Sequence, residues 1–331
     1  MKPLENRRNS KMSLIRDVVI LIPCHNEEAT VVATIEEVRR IIPLGKIIVI
    51  DNLSDDNTAI LATKAGSLVI SEPQKGKGFA VRKALSQIDS TYRVVFMIDG
   101  DATYSVQNFW KAYDQITQQG YDMVVGKRMT NTSFDQTRKR EFRFGHRIGN
   151  TLLSKTFSSL FGLKQFDSLS GWRVMSIGFS KSFFGGASGF ELEAELNSHA
   201  FLLQAPVCEI PVEYRGRVSG SSSKLNTYRD GARILRMYMS LFRAERPLMA
   251  YSFLGFPWLI FSLVLITQVV SVFFESGTVP NFPSLIAGVG AFTVASLLWA
   301  TGMILQKVRL ARVSMARWAY SQASEFIGQR S

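Results

Sequence analysis

Asp99-Gly100-Asp101 sets two carboxylates one residue apart, directly after the apolar run Tyr92–Ile98. That spacing lets one carboxylate bind a hard divalent cation while the other orients a hydroxyl of a sugar or ribose. Mg2+ or Mn2+ held there would neutralise the charge that develops when a bond to a diphosphate breaks. Such a pair is common by chance, so its weight depends on its neighbours. Lys75-Gly76-Lys77-Gly78 supplies flexible backbone and two amines just before an expected helix, a suitable anion site. Arg128, after the expected strand Tyr121–Val125, and Arg173 carry guanidinium groups suited to bidentate phosphate contact. Glu191 and Glu193, in GFELEAEL, are candidates for a general base or for contacts to sugar hydroxyls.

These residues need a frame, and the hydrophobic pattern predicts one. Asp17–Ile22 is an apolar run ending at Pro23, expected to be a buried parallel strand followed by a loop. Glu27 and Glu28 suit the first turn of a helix whose apolar face continues through Val31, Ile35, Val38, Ile41 and Ile42. The alternation repeats through strand Lys46–Ile50, helix Asp55–Ala65, strand Leu68–Ile70, helix Phe79–Ile88 and strand Tyr92–Ile98. This predicts an α/β fold with a parallel, wound sheet, which binds ligands at the carboxyl ends of its strands. Asn26, Asp51, Asp99 and Asp101 each follow a strand, so separate stretches converge on one crevice. Beyond Val174 the pattern weakens to a helix around Glu191–Ala200 and a strand around Val207–Val212.

The chain has 331 residues and 46% hydrophobic content, close to a globular average. Yet its last third holds two uncharged apolar runs, Leu248–Phe274 and Phe282–Leu305. At about 24 to 27 residues each, they are long enough for a helix to cross a hydrocarbon core about 30 Å thick. Buried core helices are the alternative, but these are usually shorter and have a polar edge. Arg229, Arg233, Arg236, Arg243 and Arg246 precede the first run, and Lys307, Arg309, Arg312 and Arg317 follow the second. The connection between the runs carries Glu275 and no Lys or Arg, so both flanks are expected on the cytoplasmic side. Asn226–Phe242 is a basic amphipathic segment suited to the headgroup region. The net charge of +12 raises nucleic acid as a partner, but the excess lies near the apolar runs and between Lys127 and Arg147. Lipid headgroups and phosphate ligands suit that distribution better, and no nucleic-acid partner is expected. Cys24 and Cys208 lack the spacing of a zinc site or a disulfide framework. Met1–Arg16 is polar and basic, so no cleavable signal peptide is expected.

Seven blocks then occur in order: IPCHNEE (Ile22–Glu28), VIDNLSDDNT (Val49–Thr58), KGKG (Lys75–Gly78), DGDATY (Asp99–Tyr104), GKR (Gly126–Arg128), DSLSGWR (Asp167–Arg173) and RVSGSSSKL (Arg217–Leu225). Together they resemble the family 2 glycosyltransferases, in the branch of dolichyl-phosphate mannosyltransferases and polyprenyl-phosphate glucosyltransferases. The resemblance covers roughly Val18–Leu235, and the order is more specific than any one block. It implies a GT-A, Rossmann-like sheet followed by an interfacial helix and two transmembrane helices. It further implies that Pro23, Asn26, Glu27, Asp51, Asn52 and Lys77 bind the nucleotide part of the donor. Asp99 and Asp101 would hold the metal and diphosphate, Arg128 and Arg173 would sit near phosphates, and Arg217, Ser223 and Lys224 would receive an acceptor phosphate. Three positions depart from common versions: Asn52 where a second Asp is frequent, His25 where Tyr or Phe is frequent, and Thr103 where some relatives have a Gln.

The expected reaction moves one sugar from a nucleotide sugar, a UDP-sugar being favoured over GDP-mannose, onto polyprenyl phosphate with inversion. A phosphate monoester is mostly deprotonated at neutral pH, its second pKa being about 6, so it needs no strong base. A hydroxyl acceptor on a glycolipid or polysaccharide would need one, and is the first alternative. A non-catalytic, membrane-tethered nucleotide-binding protein is the second. The expected layout is a polar tail (1–16), a cytoplasmic catalytic domain (17–225), a juxtamembrane helix (226–246), a transmembrane hairpin (247–306) and a basic cytoplasmic tail (307–331). The implied partners are a nucleotide-sugar donor, polyprenyl phosphate, membrane lipids and, as an open alternative, a second copy of the chain.

Overall fold

The computed structural model describes residues 16–129, 170–186, 192–215, 239–240, 242–279 and 281–328. Two compact units divide the chain: Met1–Leu225 together with Ala316–Ser331, and Asn226–Met315. The first is built on a seven-stranded sheet of order β3-β2-β1-β4-β6-β5-β7. Its strands are β1 Val18–Cys24, β2 Lys46–Asp51, β3 Leu68–Ser71, β4 Val94–Met97, β5 Met123–Met129, β6 Arg173–Ser176 and β7 Val207–Glu213. All pairings are parallel except those of β6, which runs antiparallel to both β4 and β5. The sheet is therefore mixed, not wholly parallel. Four residues headed by an arginine give no hydrophobic run long enough to announce β6.

All seven residues of β1 are buried because helices cover both of its faces. On one side Val18, Ile20 and Ile22 pack with α1 (Val31–Ile41), α2 (Thr58–Lys64) and α4 (Phe109–Thr117). On the other, Val19 and Leu21 join α3 (Lys77–Gln87), α5 (Ile177–Lys181) and α6 (Leu192–Leu203). Several boundaries differ from expectation. Pro23 and Cys24 continue β1, paired with Ile50 and Asp51 of β2. Glu27 and Glu28 lie in the turn before α1 rather than within it. The helix expected from Phe79 begins at Lys77, which places that lysine in its first turn.

The second unit is dominated by α7 (Pro247–Ser276), and by α8 (Phe282–Gly328) as far as Met315. Both helices are long and apolar enough to cross a membrane. They are mostly not buried, unlike the core helix of a soluble domain. They meet through small residues: Ser262 Oγ donates to Gly288 O at 2.8 Å, and Gly255 lies against Ala295. Glu245 accepts from Arg309 Nε at 3.0 Å and from Arg312 Nη2 at 2.8 Å. α8 runs on through most of the segment expected as a basic tail, and from Ala316 its residues belong to the first unit. There Tyr320 OH donates to Asp122 Oδ2 at 2.7 Å, and Arg317 donates through Nε and Nη2 to Leu202 O. Residues 226–238, most of the expected amphipathic segment, lie outside the described residues.

Candidate active site

The carboxyl ends of β1, β2, β4, β5 and β7 and the amino end of antiparallel β6 share one edge of the sheet. There the backbone is strained. Asn26, Leu53 and Ala102, each just past a strand, have φ of 56°, 57° and 56°. Left-handed backbone costs a non-glycine residue about 1 to 2 kcal/mol, and such strain concentrates at functional sites.

Side chains then stitch the loops together. Asn26 Oδ1 accepts from Asp55 N at 2.8 Å, while Asn26 N donates to Ser54 Oγ at 3.0 Å. Glu27 N donates to Thr58 Oγ1, and the Glu27 carboxylate accepts from Thr30 Oγ1 at 3.0 Å. His25 Nδ1 meets Asn52 O at 2.8 Å. Asn52, expected to bind nucleotide, instead spends its amide on the next loop: Nδ2 donates to Glu72 O and Gln74 O, and Oδ1 accepts from Gly76 N at 2.6 Å. Gly76 has a φ of 139°, open to glycine, so Asn52 fixes the turn that launches α3.

Four carboxylates gather around Cys24. Burial first, then the fields of Glu27, Asp51, Asp99 and Asp101, push its thiol well above the usual range. Asp51 is 8% exposed, and its Oδ1 has no hydrogen-bond partner among the described residues. A buried orphan acceptor at the mouth of a sheet points to a donor that a ligand would supply. Pro23, within β1, lies on the same edge.

Lys77 is central to the site. Its Nζ lies 2.5 Å from Asp99 Oδ1 and 2.6 Å from Glu193 Oε1. Burial disfavours its charge, but Asp99 and Glu193 outweigh burial and hold its pKa far above the ordinary lysine value. It therefore bridges two carboxylates rather than extending as a free amine toward a phosphate. Glu193 is 3% exposed, and its Oε2 has no partner among the described residues. Arg173, expected beside phosphates, is fully buried. Alternation along β6 sends Trp172 and Val174 into the core facing α1 and Arg173 toward α6. There it donates to Ser170 O, to Asn197 Oδ1 at 2.7 Å and to Glu193 O at 3.2 Å. Arg173 thus ties the start of α6, at Glu193, to β6.

Asp101 Oδ1 accepts from both Thr103 N and Thr103 Oγ1, at 3.1 and 2.6 Å. Gly171 lies so close to the Asp99 carboxylate that any Cβ would collide with it. Tyr104 OH accepts from Gly171 N at 3.2 Å. Burial and then Asp99 push the Tyr104 phenol up to about 12, with Arg128 opposing them. Tyr104 therefore lies within range of both groups. Arg128 also rests over the Tyr214 ring, 5.6 Å from its centroid, and Tyr214 packs edge-on against Tyr104. The two aspartates suit a hard cation, and Lys77 shows that Asp99 already attracts positive charge. Among the described residues no three His, Cys, Asp or Glu form a closed cage. Diphosphate and water oxygens would complete the shell, as is usual for Mg2+.

Glu191, Arg217, Ser223 and Lys224 lie outside the described residues. The sequence reading missed Tyr104, Tyr214, Arg215, Asn197 and Glu37. Of these, Tyr104 closes the DGDATY block and Asn197 stands four residues after Glu193 on one helix face, while the other three had no signal.

Residues 19–183 match the family described as Glycosyl transferase family 2. Glycosyltransferase AglJ of Haloferax volcanii is 31% identical over 240 residues, covering 72% of this chain and 76% of that protein. A dolichyl-phosphate hexose transferase of the same organism is 28% identical over 233 residues, covering 70% of this chain and 96% of that protein. Among solved structures, glucosyl-3-phosphoglycerate synthase of Mycobacterium tuberculosis, with Mn2+, UDP-glucose and phosphoglyceric acid, shares the fold. It aligns with a TM-score of 0.54 at 20% identity, over 70% of this chain and 80% of that one. With its blocks in order, its strand-edge aspartates and these relatives, the chain belongs to the family 2 glycosyltransferases.

Proposed function

We propose that the chain transfers one sugar, with inversion, from a nucleotide diphosphate sugar to polyprenyl phosphate at the cytoplasmic face of a membrane. The observation that carries this reading is the gathering of Asp51, Asp99 and Asp101 around Cys24 at the strand edge, with cationic Lys77 bound to Asp99. Asp51 suits the base or ribose, because its buried Oδ1 awaits a donor. Pro23, Asn26 and Glu27 line the same face. Asp99 and Asp101 suit a Mg2+ or Mn2+ ion, which when bound would offset the charge of the leaving diphosphate. A UDP-sugar is favoured, in keeping with the UDP-glucose and Mn2+ of the fold neighbour.

Glu193 serves the donor sugar rather than acting as a base. Lys77 Nζ, 2.6 Å away, occupies one of its oxygens. The other oxygen, buried and without a partner among the described residues, suits a sugar hydroxyl. No base is required if the nucleophile is a phosphate, already ionised near neutral pH. The acceptor assignment draws on the dolichyl-phosphate hexose transferase relative and on the basic residues Arg217 and Lys224, with Ser223 between the two in the sequence. Arg128 would meet phosphate from the β5 side. The exposed apolar helices α7 and α8 would hold the enzyme in the bilayer, with the basic flanks, both termini and the catalytic unit cytoplasmic.

Purified protein in detergent, given labelled nucleotide sugars, Mn2+ and polyprenyl phosphate, should form a lipid-soluble product. Asp101→Ala should lower its rate by about 1,000-fold or more, a typical loss for a metal-held leaving group. Glycosylation of free polyprenol or diacylglycerol alone would overturn the phosphate acceptor.

A further inference from the structure

Asn52 fastens the loop between β3 and α3 to the end of β1. Its backbone is fixed on the β1 side, where Asn52 N donates to Cys24 O at 2.9 Å and Asn52 O meets His25 Nδ1. Its side chain is buried and turned the other way: Nδ2 donates to Glu72 O at 3.2 Å and to Gln74 O at 2.7 Å, while Oδ1 accepts from Gly76 N at 2.6 Å. Two carbonyls on one side and an N–H on the other fix which way the amide points. Both of its N–H groups are thereby committed within the protein. The start of the loop has fastenings of its own, since Glu72 N donates to Asp51 O, Gln74 N to Glu72 Oε1 and Lys83 Nζ to Ser71 O. Gly76, at the loop's end, is held by Asn52.

The next residue is Lys77, the first of α3, whose amine bridges Asp99 and Glu193. A lysine stem is long and flexible, so its amine meets both carboxylates only when the backbone starts from the right place. Glycine at 76, with a φ of 139°, does not enforce that place by itself. The body of α3 is secured elsewhere, by Ala80, Val81, Ala84 and Leu85 in the core. Loss of the Asn52 bonds therefore releases the first turn and leaves the helix. We infer that Asn52 is a positioning residue for Lys77, setting the turn from which the amine reaches Asp99 and Glu193 together and keeping the two carboxylates of the donor site in place. Aspartate, frequent here in the family, could still accept from Gly76 N, but its second oxygen would face the carbonyls of Glu72 and Gln74. The donor-side part rests on the proposed roles of Asp99 and Glu193. A reacting group displaced by even about 1 Å loses much of its rate.

Full-length protein in detergent, with no ligand added, is to be acylated with acetic anhydride, and labelling of Lys77 compared with that of exposed Lys46 by mass spectrometry. In the wild type Lys77 should label about tenfold more slowly than Lys46, because its amine is bound to two carboxylates and only 15% of its side chain is exposed. Asn52→Asp and Asn52→Ala should each speed Lys77 labelling by about fivefold, the near-isosteric aspartate giving no protection over alanine. In the lipid-product assay both should lower kcat/KM for the nucleotide sugar by about tenfold, leaving the acceptor KM within about twofold. Wild-type Lys77 labelling as fast as Lys46 would overturn the proposal, as would a folded Asn52 variant with Lys77 still protected or with unchanged nucleotide-sugar kinetics. Should the variants fail to fold, hydrogen exchange at the Gly76 amide of the wild type reads the Asn52 bond directly, and an unprotected amide overturns the proposal too. Failure of the functional reading would appear in the wild type, as absent transfer to polyprenyl phosphate. The labelling comparison would stand regardless, and the kinetics would then be read on the acceptor that the wild type does use.

Discussion

The strand-edge unit and the helical hairpin bury opposite things. In β1, Val18, Val19, Ile20, Leu21 and Ile22 are fully buried, while polar side chains collect at the open edge. In α7 the large residues face outward, with Phe253 at 73% and Leu263 at 61% exposure, while Gly255 and Ser262 are buried. Water drives the first pattern, since apolar area leaves it at roughly 25 cal/mol per Å2. The second suits a hydrocarbon surrounding, in which helices associate through small residues and hydrogen bonds because lipid gives no hydrophobic push. The chain thus pairs a water-driven core with helices whose surface suits hydrocarbon, and its average composition conceals both.

Substitutions that separate the two regimes should rank as follows. Lys77→Met leaves Asp99 and the buried Glu193 facing each other without their shared cation, so it should cost about 3 to 5 kcal/mol in the catalytic unit and abolish transfer. Chemical denaturation and the lipid-product assay both read this, and a variant of unchanged midpoint would refute the bridging role. Ile20→Ala, in the water-driven core, should cost about 2 to 5 kcal/mol in the same denaturation. Leu263→Lys, near the middle of α7, should leave the catalytic core alone but disfavour membrane insertion by about 2.5 to 3.5 kcal/mol. Normal insertion in a glycosylation-tagged reporter would mean that α7 does not lie in lipid. Ser262→Ala removes one interhelical hydrogen bond and should weaken the hairpin by only about 0.6 kcal/mol, measured by unfolding in detergent micelles.

The apolar runs of β1, β2 and β4 and the aspartates beyond them were legible because continuous buried strands leave an unbroken hydrophobic signature. The two long helices were legible for the same reason on a larger scale. The burial of Arg173 was not legible, because guanidinium is usually exposed and a four-residue strand gives no hydrophobic pattern to place it. The pairing of Lys77 with Asp99 and Glu193 was not legible, because glycine flanks mark a flexible turn without saying which groups its amine will meet. Glu37 left no mark, since a helical glutamate looks the same in sequence whether or not an arginine 178 positions away grips it.

The last stretch of α8 has a consequence for how the enzyme is made. Residues from Ala316 complete the catalytic unit, with Tyr320 reaching Asp122 and Arg317 reaching the carbonyl of Leu202 at the end of α6. During translation the ribosome delivers these groups only after both long helices have been synthesised. That unit therefore finishes folding only after both long helices emerge, and a fragment released after residue 225 would leave those two acceptors waiting for donors.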